Sequence, residues 1–331
     1  MNGYLLPMRH RIGLVVYSGF ELLDAAGPAS VFSKANDVLR REGRTPFYAA
    51  AMISPAGGLV TSSSGATVQT HAIARRAPTS VDTLLIAGGE EAGVRAAIAD
   101  PALRRWVPRC AVSCTRLGSV CSGAFVLAAL GLLHGRSVAT HWNASAQLRD
   151  MYPTVHVDDD ALYVVDGKTW TSAGVTTGID MALAMVSHDV GSAVAGDVAK
   201  QLVLYARRPG YQSQFSALLR AQSQADNPFA DLVAWIQANL DRPLDVAALA
   251  TYSGLAERTF YRQFVATMHE TPARFVETLR LDAARVLLAQ TLSIKAIAAR
   301  VGLSPTSRFA EAFERRFGLS PTVFRTMHAR L

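Results

Sequence analysis

The sequence predicts an α/β sandwich on a mostly parallel sheet, followed by an all-α domain of two tandem helix-turn-helix units. Three observations carry this prediction. Short apolar runs alternate with helical patterns up to about Val190, and no strand-like run follows Arg207-Arg208-Pro209-Gly210. A set of motifs in the C-terminal half then recurs 48 to 49 residues later. Alternation of strands and helices argues for a parallel sheet, whereas an uninterrupted helical stretch argues for a separate domain. At 331 residues the chain has room for about two domains.

The strands come first. Ile12–Tyr17, Phe47–Ile53, Thr83–Ala87 and Leu117–Val120 are apolar runs ended by small or turn residues, as expected of strands buried on both faces. Helical patterns lie between them at Asp24–Arg41, Pro101–Ser113 and Gly123–Leu133. That order gives flavodoxin-like layering, with helices on both faces of the sheet. Asp166-Gly167 reads as a hairpin turn. The expected segments are an N-terminal tail at 1–10, the α/β domain at 11–206, a linker at 207–227 and the helical domain at 228–331.

Composition narrows the class. Half the residues are apolar and 18% are charged, which excludes a disordered chain. The longest apolar run, Ala124–Leu133, is far short of the roughly twenty residues a membrane helix needs. Met1–Arg11 lacks the apolar core of a signal peptide, and the three cysteines, Cys110, Cys114 and Cys121, do not suggest a disulfide scaffold. A reducing cytoplasm is the expected compartment. The net charge of +7 is spread over both halves, so charge alone does not identify a nucleic-acid binder, although a pI near 9.6 permits one.

The repeat is more informative. Ala250-x3-Gly254-Leu255 recurs as Ala298-x3-Gly302-Leu303, and Phe260-x3-Phe264 as Phe309-x3-Phe313. Thr271-Pro272-x2-Phe275 recurs as Ser320-Pro321-x2-Phe324. Each unit reads as helix, tight turn, helix: a small Ala where the helices cross, a Gly where positive φ is needed, and Phe at i and i+4 on the core face. Pro272–Gln290 between the units reads as one long amphipathic helix. Two units matching at three places predict DNA binding.

Residues Phe229–Arg330 resemble the DNA-binding domain of AraC/XylS transcriptional regulators, with RLDAARVLLAQTLSIKAIAARVGLS and FERRFGLSPTVFR as the characteristic stretches. The resemblance implies two reading helices placed in successive major-groove segments of double-stranded promoter DNA. Arg258, Tyr261 and Arg262 would read bases from the first, and Thr306, Ser307 and Arg308 from the second. Glu311 departs from the basic or polar residue common in the family. Arg315, Arg316 and Arg325 would contact phosphates.

In the first half, Gly118-Ser119-Val120-Cys121-Ser122-Gly123-Ala124 places Cys121 at a strand-to-helix turn flanked by small residues. The helix N-terminus behind it would favour a thiolate. From the pattern alone, a reactive and a structural cysteine both remain open. Residues 11 to about 200 resemble the PfpI/ThiJ-like branch of the class I glutamine-amidotransferase superfamily through LLDAAGP, LLIAGG, SVCSGAFVLAALGLL, VATHW and TSAGVTTGIDMALAMV. With the C-terminal module they resemble the GlxA-like subgroup of AraC-type regulators.

The resemblance implies that Cys121 sits at an elbow, with Gly88, Gly89 and Ser122 supplying backbone N–H donors for an oxyanion. His141 matches a histidine near the elbow, and Asp24 matches a carboxylate beside the cysteine in isocyanide-hydratase-like members. The His-x-Glu of true amidotransferases is missing, His188-Asp189 is no substitute, and Ser30 replaces a common glutamate. The triad is therefore incomplete. No metal or cofactor is expected, and Asp158-Asp159-Asp160 reads as a solvated loop.

The implied function is a ligand-responsive, homodimeric transcription factor that senses a small metabolite, since relatives often sense nitrogenous ones. The alternative is a cysteine-dependent hydratase, amidase or deglycase with a helical tail. The tandem repeat, which a hydrolase does not need, and the broken triad, which a sensor tolerates, separate the two.

Overall fold

The computed structural model describes residues 10–73, 77–204, 210, 228–268, 270–288, 290–317 and 319–328. The chain divides into two compact units, Met1–Gln214 and Phe215–Leu331. Of the expected tail only His10 is described, and of the expected linker only Gly210; the rest lies outside the described residues.

The first unit begins β1 (His10–Val15), α1 (Leu22–Arg41), β2 (Tyr48–Ser54), β3 (Gly58–Thr61), β4 (Thr67–Ala72) and β5 (Thr83–Ile86). Next come α2 (Glu91–Ala99), α3 (Pro101–Ser113), β6 (Arg116–Val120), α4 (Gly123–Ala129), β7 (Ser137–Val138) and α5 (Ser145–Met151). It ends with β8 (His156–Val157), β9 (Tyr163–Asp166), β10 (Thr169–Ser172), α6 (Thr177–Val190) and α7 (Ser192–Gln201). Eight strands form one sheet in the order β3-β4-β2-β1-β5-β6-β10-β9. Its interior pairs are parallel, and only the edge pairs β3–β4 and β9–β10 are antiparallel.

Strand alternation assigns the two faces. Ile12, Leu14, Leu85 and Val120 pack in the cluster built with α1, α6 and α7. Val15, Leu84, Ile86 and Leu117 join the opposite cluster with α2, α3 and α4. Cys110 and Cys114 belong to that second core. Helix α3 starts where Asp100 accepts the amides of Ala102 and Leu103 ahead of Pro101, a capped start with proline in its permitted place.

Some sequence expectations need correction. The helix expected over Gly123–Leu133 stops at Ala129, because Gly131 takes φ +73° and its N–H turns back to the Ala128 carbonyl. The helix expected over Pro272–Gln290 ends at Leu287. The β3–β4 hairpin and the short β7–β8 pair were not visible, since 58–72 is rich in Gly, Ser and Thr and carries no sustained apolar run. Asp166-Gly167 does turn the β9–β10 hairpin, with Gly167 at φ +60°. Asp158 caps its own loop by accepting the Asp160 and Ala161 amides, and Asp159 pairs with Arg149.

The second unit is helical: α8 (Ala230–Ala238), α9 (Val246–Tyr252), α10 (Glu257–Met268), α11 (Pro272–Leu287), α12 (Ile294–Arg300), α13 (Thr306–Phe317) and α14 (Pro321–His328). The sequence repeat is a structural repeat. Asp245 and Ser293 cap α9 and α12 through the amides of Ala248 and Ala296. Gly254 and Gly302 follow these helices at φ +65° and +67°. Phe260, Phe264, Phe309 and Phe313 are fully buried. Phe229 and Phe275 complete the first aromatic core, and Phe317 and Phe324 the second.

Candidate functional sites: the Cys121 elbow and the reading helices

Strand β6 ends at Val120, and Cys121 takes φ +57°, a conformation that costs a non-glycine residue about 1–3 kcal/mol. Its surroundings hold it there. Its N–H donates to the Ser172 carbonyl at 2.9 Å, and its own carbonyl accepts the Thr140 hydroxyl at 2.9 Å. Glycines close the walls: a Cβ on Gly174 would lie 2.3 Å from the Cys121 Cβ, and one on Gly88 2.7 Å from it. Gly174 itself adopts φ +100°.

Asp24, in the first turn of α1, is 1% exposed and spans the elbow's two flanking loops. Its Oδ2 accepts the Gly88 amide at 3.0 Å and its Oδ1 the Val175 amide at 2.7 Å. Burial pushes this carboxyl up to about 7, against the pull of the two amide donors. Ser122 ties the Gly-Gly loop from the other side. Its Oγ accepts the Gly89 amide at 3.0 Å and donates to the Gly89 carbonyl at 3.1 Å.

Burial, then the negative charge of Asp24, pushes Cys121 up to about 12, outweighing the stabilising bonds from Ser122. Burial thus acts against the expectation that the following helix would hold a thiolate, and it is the larger influence on this thiol. The hydroxyl of Tyr17 donates to the Ala87 carbonyl at 2.9 Å, and burial raises its phenol as well.

The structure thus gathers Asp24, Gly88, Gly89, Cys121 and Ser122 in one site. His141 is otherwise engaged: its Nδ1 bonds Asn143, its ring leans on Trp142, and no hydrogen bond joins it to Cys121 among the described residues. Asp189 forms a buried pair with Arg116 and accepts the Tyr48 hydroxyl, at the opposite end of β6 from the elbow. Thr140, Gly174, Val175 and Tyr17 were missed individually. Thr140, Gly174 and Val175 lie inside stretches that carried the family resemblance, so the signal was present without a role attached.

In the helical unit, Arg258, Tyr261 and Arg262 stand exposed on α10, opposite the buried Phe260 and Phe264. At the start of α13, Ser307 and Arg308 are exposed and Thr306 half-buried, with Glu311 and Glu314 exposed further along. The three further arginines differ sharply. Arg315 pairs with Glu277 at 2.6 Å on the surface. Arg316 pairs with Asp282 at 3.3 Å and lies over the Phe317 ring. Arg325 donates to the carbonyls of Leu288 and Leu292 at 3.2 and 2.7 Å, closing the end of α11.

Residues 10–188 match the DJ-1/PfpI family, and residues 249–327 match a family described as helix-turn-helix domain. The chain belongs to the DJ-1/PfpI family. It is 31% identical over 316 residues to the HTH-type transcriptional regulator GlxA of Rhizobium meliloti, covering 94% of each chain. It is 29% identical over 312 residues to the HTH-type transcriptional regulator GbdR of Pseudomonas aeruginosa, covering 94% of this chain and 82% of the relative. A THiJ/PfpI family protein from Pseudomonas syringae shares the fold, with a TM-score of 0.55 and 23% identity over 69% of this chain and 87% of that one. The DJ-1/PfpI unit is therefore joined to an AraC-type helix-turn-helix unit, and the protein is a DNA-binding transcriptional regulator. No helix among the described residues is long and apolar enough to cross a membrane.

Proposed function

We propose that the DJ-1/PfpI domain is an effector sensor, binding a small metabolite at the Cys121 elbow without turning it over. One observation carries this reading. Two of the three amides an oxyanion would use are already engaged, Gly88 by Asp24 and Gly89 by the Ser122 hydroxyl. A thiol raised to about 12 leaves roughly one molecule in a hundred thousand as thiolate at neutral pH. The charged groups that bear on the thiol, Asp24 and Glu21, are both acidic, which favours a nitrogen-bearing, cationic effector over an anionic one.

The same reading makes the regulator a cytoplasmic homodimer. Arg258, Tyr261, Arg262, Thr306, Ser307 and Arg308 read bases, and Arg315 is the arginine whose surface position suits a phosphate. Effector and DNA affinity are coupled by the difference in effector affinity between two states, typically about 1–3 kcal/mol. A thermal-shift screen of amino acids, polyamines and quaternary amines on the full chain is the direct test. A cationic hit that shifts wild type but not Cys121→Ala, while effector-free DNA binding is unchanged, supports the reading.

The strained φ of Cys121 favours a second reading, since such strain clusters at catalytic sites. In that case the domain is a cysteine-dependent hydratase, amidase or deglycase. Steady turnover of small amides, isocyanides or glycated thiols, abolished in Cys121→Ala, would decide for it.

A further inference from the structure

Each helix-turn-helix unit has its own aromatic core, and α11 is the covalent element between them. A connecting helix fixes where the two units attach, but two reading helices that must enter successive groove segments also need a fixed rotation and separation. A side chain that touches both units is Arg280, midway along α11. Its Nε donates to the Leu240 carbonyl at 3.1 Å and its Nη2 to the Arg242 carbonyl at 2.7 Å, both in the loop ahead of α9. On its other side lies the turn of the second unit. A Cβ on Gly302 would come within 2.3 Å of the Leu240 carbonyl oxygen and 2.8 Å of the Arg280 Nη2. The turn between α12 and α13 therefore packs on the loop of the first unit and on the guanidinium that organises it.

We infer that Arg280 is a positioning residue for DNA recognition, setting the separation of the two reading helices and so the spacing of the two DNA subsites. A guanidinium suits this place because its rigid planar fork aims two separate nitrogens at the two carbonyls, a fixed geometry that the single ammonium of a lysine does not supply. Burial lowers its affinity for the proton, and the nearby charge of Arg308, in the first turn of α13, acts in the same direction.

The test uses the full chain and a binding site selected by the wild-type protein from randomised duplex DNA. The two subsites are then moved apart or together by single base pairs, each step rotating one against the other by about 35°. Wild type should favour its own spacing by about tenfold or more over either neighbour, and Arg280→Ala should cut that ratio to about twofold with base preference at each subsite retained. Arg280→Lys, which keeps the charge and the donors but not the rigid fork, should fall between. If Arg280→Ala proves unfolded by circular dichroism, the lysine variant decides, and a wild-type spacing ratio for it overturns the proposal. An even loss at all spacings with a salt slope reduced by about one would show Arg280 to be a phosphate contact instead, which also overturns it.

Discussion

The Cys121 elbow and helix α10, proposed to read DNA, treat their polar groups in opposite ways. At the elbow, the carboxylate of Asp24, the hydroxyl of Ser122 and the amides of Gly88, Gly89 and Val175 are bonded to one another. On α10, Arg258 and Arg262 carry no ion pair or side-chain hydrogen bond among the described residues. Burial therefore dictates behaviour at the first site, where it raises both Asp24 and Cys121, while solvent exposure leaves the second ready for a partner. A closed polar network suits a pocket that must keep its shape, and an open cationic face suits a surface that meets a polyanion.

The largest expected effect tests how tightly the elbow is closed. Gly174→Ala puts a methyl 2.3 Å from the Cys121 Cβ at a residue with φ +100°, so overpacking and backbone strain add to about 3 kcal/mol or more. Gly254→Ala in the first helix-turn-helix also meets positive φ, +65°, but open space, and should cost only about 1 kcal/mol. Urea midpoints of the two variants compare the sites directly. Equal midpoints would mean that the elbow is no more crowded than a solvent-facing turn.

Next comes the buried carboxyl. Asp24→Asn keeps one good acceptor but turns an amide NH2 toward a backbone N–H, an unsatisfied donor worth about 1–3 kcal/mol. The pH dependence has a defined sign. Because the folded carboxyl titrates near 7, well above its ordinary 3.8, the native state holds a proton between those values that the unfolded chain has lost. Wild-type stability is thus full below about pH 4 and declines as pH rises toward 7. Asp24→Asn lacks this slope, so the gap between variant and wild type should narrow from pH 5 to pH 8. A gap that widens instead would show that Asp24 is ionised throughout and held by its two amides.

How legible each region was follows from the range of its interactions. The helical unit wrote itself into the sequence locally: Ala250, Gly254, Phe260 and Phe264 recur at fixed spacing because each helix-turn-helix packs within about thirty residues. The buried strands were legible for the same reason. The elbow depends on residues brought from four separate places, Asp24, Gly88, Thr140 and Gly174 around Cys121, and no local pattern announces that Asp24 bonds Val175 from 151 positions away. Resemblance names Gly88 and Gly89 as donors, but only the assembled fold reveals that their amides meet Asp24 and the Ser122 hydroxyl. The arginines were hard to separate for a related reason: Arg315, Arg316 and Arg325 look alike in sequence, yet Arg315 pairs on the surface while Arg316 and Arg325 are part-buried against α11 and its C-terminal end.

Unequal reading helices are the third expectation. Helix α10 presents Arg258 and Arg262 with Glu257 as its acidic residue, whereas α13 sets Arg308 against Glu311 and Glu314. Arg262→Ala should cost about 1–3 kcal/mol of DNA affinity and relax preference at one base pair, as removal of a bidentate guanine contact does. Arg308→Ala should cost less. Titration of both variants against a site library at fixed salt ranks them, and the reverse order would place the leading contacts on α13.

The smallest effect separates the surface arginine from its buried counterpart. Arg315 and Glu277 form an exposed pair, so Arg315→Ala should change stability by less than about 1 kcal/mol. If Arg315 meets a phosphate, losing it weakens binding to all sequences alike and lowers the slope of log affinity against log salt by about one. Arg325 closes two carbonyls at the end of α11, and Arg325→Ala should register in the urea midpoint while leaving the salt slope of the folded protein unchanged. The two slopes, measured from 50 to 200 mM salt on one DNA duplex, make the comparison. A slope reduced only by Arg325→Ala would mean that this guanidinium leaves its carbonyls when DNA binds, and that the interior of the helical unit rearranges on the duplex.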